Sequence, residues 1–121
     1  EAIVTETEVV LQPIYFDFDK HNITQAAATE LDKLVQVMKS NDKLIILAKS
    51  HTDYRGSDAY NLALSDRRAK ATVQYIISKG ISAKRITAKG YGRTEPKVDC
   101  KGNCSDEQHA QNRRSEFLIV K

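Results

Sequence analysis

The chain has 121 residues, 40% hydrophobic and 29% charged, with 19 Lys and Arg against 16 Asp and Glu for a formal net charge of +3. That length fits one domain able to bury roughly two-thirds of its unfolded surface, the composition excludes a disordered chain, and the interspersed charges leave no footprint for nucleic acid. No run approaches the roughly 20 apolar residues that span a bilayer; with neither an initial Met nor a signal-peptide pattern, the chain reads as an excised piece whose membrane connection would lie in missing parts of a parent.

Residues 1–12 alternate polar with apolar at Ile3, Val9 and Leu11, as a linker or an extra edge strand would, so the domain proper is expected over 13–121. Ile14-Tyr15-Phe16-Asp17-Phe18 is β-prone, and Asp19-Lys20-His21-Asn22 follows as a turn. Thr24 can cap a helix whose Leu31, Leu34, Val35 and Met38 make one apolar stripe, ending at Ser40-Asn41-Asp42. Leu44 to Ala48 is a continuous apolar run, as in a central strand covered by helices.

Beyond a turn at Gly56, Ser57 or Asp58 can cap a second helix running to Lys79-Gly80, with Ala69, Thr72, Val73 and Ile76 as its buried stripe. Leu64-Ser65-Asp66 also reads as a cap, which would split off the first turns. Arg85 to Ala88 is a third strand closed by Gly90-Tyr91-Gly92, Arg93 to Gln111 a long polar loop, and Ser115 to Val120 a fourth strand. The order β-α-β-α-β-loop-β predicts an α/β (α+β) fold, a two-layer sandwich with a mixed sheet and the helices packed on one face.

The segment from His51 to Ala69 carries the most chemistry. The Asp53 carboxylate suits an ammonium group, and the planar guanidinium of Arg68 suits a carboxylate through two parallel hydrogen bonds. Asn61 and Arg68 lie seven apart, two helical turns, and so share a face that the loop bearing Asp53 approaches. A zwitterion such as a free amino-acid end fits this set. A plain surface ion pair between Asp53 and Arg68 fits it too. His51, Asp53 and Ser50 or Ser65 could be taken for a hydrolase triad, but no Gly-x-Ser-x-Gly elbow surrounds either serine. His51 reads better as a residue whose ring nitrogens satisfy groups near the strand end. Cys100 and Cys104 sit among turn formers, where a local disulfide worth only roughly 2 kcal/mol is the first reading. It would imply an oxidising compartment. Zinc is not favoured, since His51 and His109 are not at finger spacing, and no metal, nucleotide or other cofactor signature is present.

His51-Thr52-Asp53, Gly56, Tyr60-Asn61, Leu64-Ser65, Arg68-Ala69, Gly90-Tyr91-Gly92, Pro96 and Asn112-Arg113-Arg114, together with the early Phe16-Asp17-Phe18-Asp19-Lys20 run, closely resemble the OmpA-like peptidoglycan-binding domain. The likeness runs from about Tyr15 to Val120 and departs from the usual pattern at Lys49 and Ser50. It implies a periplasmic module, not an enzyme, that grips the diaminopimelate residue of the peptidoglycan stem peptide and anchors an outer-membrane protein or lipoprotein to the cell wall. By the same resemblance Asp53 would read the ammonium and Arg68 the carboxylate, with Thr52, Asn61, Asp19 and Arg113 lining the pocket. Arg113 and Arg114 also read as ion-pair partners of Glu95, Asp106 or Glu107. A wall-gripping domain of a flagellar motor stator shares the fold, and a peptidoglycan hydrolase or amidase is the rival of another class.

Overall fold

The computed structural model describes residues 2–12, 14–17, 20–53, 55–99 and 103–120. The chain opens with two short antiparallel strands, β1 (Ile3–Val4) and β2 (Val9–Val10). Between them Thr5 Oγ1 donates to the Glu8 carbonyl and accepts from the Glu8 amide, closing the turn. This hairpin lies along the outer edge of the last strand through a Glu8–Leu118 bridge and a bond from the Ile119 amide to the Thr7 carbonyl, and it buries Val9.

Helix α1 (Gln25–Ser40) starts where Thr24 Oγ1 accepts from the Ala27 amide, satisfying a donor that the first turn leaves without a partner. Its buried stripe holds Ala27, Leu31, Leu34, Val35 and Met38. Strand β3 (Ile45–Ser50) follows and is central. It runs parallel to β4 (Ile86–Gly90) and antiparallel to β5 (Ser115–Val120), with Ala48 facing Ala88 on one side and Phe117 on the other. Ile46, Ala48 and Ser50 are buried while alternate residues are partly exposed, so the helices cover one face. Helix α2 (Asp58–Ser78), capped by Ser57 and stopped at Gly80 with φ +102°, packs on β3 and β4 and against α1. The core is formed by the α1 stripe, Val73 and Ile76 of α2, and Ile46, Ile86 and Phe117 of the sheet.

Three local expectations give way. Helix α2 is continuous, because Ser65 does not cap a new helix: its hydroxyl donates to the Leu62 carbonyl and accepts from the Gly92 amide. The polar loop contains a helix, α3 (Asp106–Asn112), started by a reciprocal capping box between Ser105 and Gln108. The first expected core strand is reduced, among its described residues, to a bridge between Tyr15 and Arg114. There the Phe16 amide still donates to the Arg113 carbonyl, but the carbonyl of Phe16 accepts from Arg113 Nε and that of Asp17 from Arg68 Nη2, so guanidinium groups take over part of what a strand ladder would supply.

Candidate functional site

The site forms where β3 leaves the sheet. His51 N donates to the Arg114 carbonyl at 2.8 Å and Thr52 N to the Gly92 carbonyl at 2.9 Å, so the departing chain is clamped between the start of β5 and the loop after β4. Asp53 then folds the chain back: its Oδ1 accepts from the Arg55 amide at 2.9 Å, the side-chain turn that Asp favours. Gly56 adopts φ +96°, a conformation that favours glycine. Ser57 accepts from the Tyr60 amide and α2 begins.

From that start Asn61, Leu64, Ser65 and Arg68 are the buried positions, at helical spacing on one face. Asn61 Nδ2 donates to the Arg55 carbonyl and ties the loop to the helix. Arg68 is fully buried; its Nε donates to the Lys20 carbonyl at 2.7 Å, Nη1 to the His51 carbonyl at 3.2 Å and Nη2 to the Asp17 carbonyl at 3.0 Å, with the Phe16 ring 5.0 Å away. One guanidinium thus holds three backbone carbonyls on two stretches of chain around the site.

Between these elements lies a cavity of about 290 Å³. Thr52, Asp53, Arg55 and Gly56 bound it from the loop, Tyr60, Asn61, Leu64 and Arg68 from α2, and Arg113 from the approach to β5. Five of the side chains singled out in the sequence, Thr52, Asp53, Asn61, Arg68 and Arg113, therefore border one space. The sixth, Asp19, lies outside the described residues, as does Cys100; Cys104 carries no free thiol.

The electrostatics differ from a simple Asp53–Arg68 couple. Asp53 Oδ2 accepts from Arg55 Nη2 at 2.8 Å and from Arg113 Nη1 at 3.0 Å, and Arg113 Nε holds the Phe16 carbonyl. Burial pushes the Asp53 carboxyl up, but the hydrogen bonds from Arg55 and Arg113 outweigh it and hold the group below the usual carboxylate range. The same bond raises the pKa of Arg55. Arg113 thus reaches Asp53 rather than Glu95, Asp106 or Glu107, whereas Arg114 donates to the Glu95 backbone carbonyl and lies 3.6 Å from Glu116. Arg55 was not foreseen; its signal is an Arg two residues beyond an Asp in a turn.

The hydrolase triad does not assemble. The buried His51 ring bonds Glu116 through Nε2 at 3.0 Å and stacks on Tyr91. Ser50 bonds Ser115, and Ser65 holds the turn at Gly92.

A sequence model described as the OmpA family matches residues 15–113. Outer membrane protein A of Bordetella avium is 39% identical over 106 residues, which span 88% of this chain and 53% of that protein. Photosystem I P700 chlorophyll a apoprotein A2 of Gloeobacter violaceus is 42% identical over 109 residues, 88% of this chain but only 12% of that one. Both relatives are longer than the region they share with this chain. Among solved structures, the peptidoglycan-associated lipoprotein from Burkholderia pseudomallei superimposes with a TM-score of 0.82 at 29% identity over 90% of each chain.

Proposed function

The chain belongs to the OmpA family, and from that membership we propose that it is a non-catalytic module that binds peptidoglycan through the zwitterionic end of diaminopimelate in the stem peptide. The observation that carries the reading is one cavity of about 290 Å³ bordered by both Asp53 and Arg68. The ligand ammonium replaces Arg55 on Asp53, and the ligand carboxylate meets Arg68, whose three backbone bonds hold it in place without a ligand. Asn61 holds the loop over the site, and Arg113 keeps Asp53 oriented. The module works in the periplasm and ties its parent, an outer-membrane protein or lipoprotein, to the wall. Modest affinity per site suffices, because many parent molecules share one polymer and effective concentration multiplies retention.

The test is calorimetry of the folded protein with free diaminopimelate and with its amidated form. Asp53→Asn is expected to weaken binding at least about tenfold, a loss of roughly 1.4 kcal/mol. Amidation, which removes the charge facing Arg68, is expected to act in the same direction. Unchanged affinity in both comparisons would overturn the assignment. Muropeptides recovered intact after long incubation, checked by mass analysis, would support the non-catalytic role.

A further inference from the structure

Arg113 and Arg114 are consecutive but border different spaces. Arg113 lines the cavity already described, and Arg114 a second one of about 150 Å³ between the N-terminal segment and β5. The second cavity opens because the N-terminal segment meets β5 and its approach at two separated points, Glu8 with Leu118 and Tyr15 with Arg114.

Arg114 is 8% exposed. Its Nη2 donates to the Glu95 carbonyl, and its Nε lies 3.6 Å from Glu116 Oε2, too far for a hydrogen bond. Neither Nε nor Nη1 has an acceptor among the described residues. Buried donors of a charged group are costly to leave unmade, so the cavity beside them has a chemical demand. What it demands follows from its walls. Its cations, Arg114 and Lys97, are matched in number by its carboxylates, Glu8 and Glu116, while Val9, Ile14 and Phe117 supply buried apolar surface. With charge already balanced, a neutral oxygen acceptor next to a small apolar group suits the space better than another anion.

We propose that this cavity receives the acetamido group of an N-acetylated sugar in the glycan strand, its carbonyl oxygen accepting from Arg114 and its methyl resting on Val9, Ile14 and Phe117. The proposal rests on the reading of the chain as a peptidoglycan-binding module and adds a glycan contact to the peptide contact.

The experiment follows the Arg114 Nε–H and the amides of Ser115 and Phe117 by nuclear magnetic resonance. The titrants are tri-N-acetylchitotriose, its fully deacetylated trimer, and N-acetylalanine methylamide as a peptide-like amide. Saturable shifts with the acetylated sugar and none with the deacetylated trimer are expected. No response, an equal response to the deacetylated trimer, or a response to the peptide-like amide alone would overturn the proposal. Val10 borders the cavity yet is 38% exposed, so Val10→Trp can fill its mouth without disturbing the core. This variant is expected to lose the sugar response while keeping the diaminopimelate response at Thr52 and Asn61; retained sugar shifts would place the contact elsewhere. Asp53→Asn is expected to do the reverse, which separates failure of this site from failure of the peptide site.

Discussion

Burial alone would raise the Asp53 carboxyl, and the Arg55 side chain and amide, then Arg113, reverse that effect. Arg55 is the more exposed of the two arginines on Asp53, with a side chain 38% exposed against 13% for Arg113. In the proposed function it is therefore the arginine that a ligand ammonium would replace on the carboxylate, while Arg113 keeps the buried charge from standing alone. Arg55→Ala is expected to raise the Asp53 pKa, since Arg55 supplies the largest lowering contribution. A carbon-detected titration of the Asp53 carboxyl checks this, and an unmoved titration would mean that Arg113 suffices. At this scale the sequence was partly legible. The acid, the amide and Arg68 could be named because a turn and a seven-residue helical spacing are local patterns, whereas Arg113 could be named only through the family resemblance. The pairing was not: Arg113 lies sixty residues from Asp53, and nothing local shows that the approach to β5 crosses the end of β3.

Among the elements, those with strong periodicity were readable and those held by side chains were not. Helix α1 and the bulk of α2 declare themselves through apolar stripes and caps, and β3 through its apolar run. The segment near Tyr15 reads as a strand but has its carbonyls taken by Arg68 and Arg113, an override that only tertiary structure supplies. Helix α3 spans just seven residues, and its capping box was the one available signal. The packing of α2 on β4 gives a sharper test. A Cβ on Gly90 would collide with the Asp66 amide nitrogen, Ser65 Oγ and Asp66 Oδ1, and the two oxygens accept from the Gly92 and Gly90 amides and so anchor the turn. Gly90→Ala is thus expected to destabilise the fold by about 1–3 kcal/mol, as overpacking does, and to weaken ligand binding as well, because the Gly92 carbonyl holds Thr52. Denaturant unfolding reads the first effect. A variant as stable as the parent would show that helix and strand can separate freely.

For the molecule as a whole, each cavity has one lowered carboxylate in its lining, Asp53 beside the first and Glu116 beside the second, and these set its response to acid. Glu116, on β5, is held at a pKa of about 2, chiefly by its hydrogen bond to His51, against burial that raises it and with Arg114 and Lys49 adding attraction. Asp53 is lowered as well. A carboxylate with a depressed folded-state pKa binds fewer protons folded than unfolded across the interval between its two values, so stability rises with pH there. For Glu116 the contribution is complete above its ordinary 4.5 and is lost as pH falls toward about 2. Because Glu116 is 39% exposed, solvent screens part of this effect. The melting temperature is therefore expected to be flat above the ordinary carboxylate range and to fall through that interval. Glu116→Gln keeps a hydrogen-bonding side chain opposite His51 but cannot titrate, so its melting curve should lose part of the acid slope while retaining the share due to Asp53. If the variant reproduced the full slope, the linkage between the strand ends would have to reside in other carboxylates.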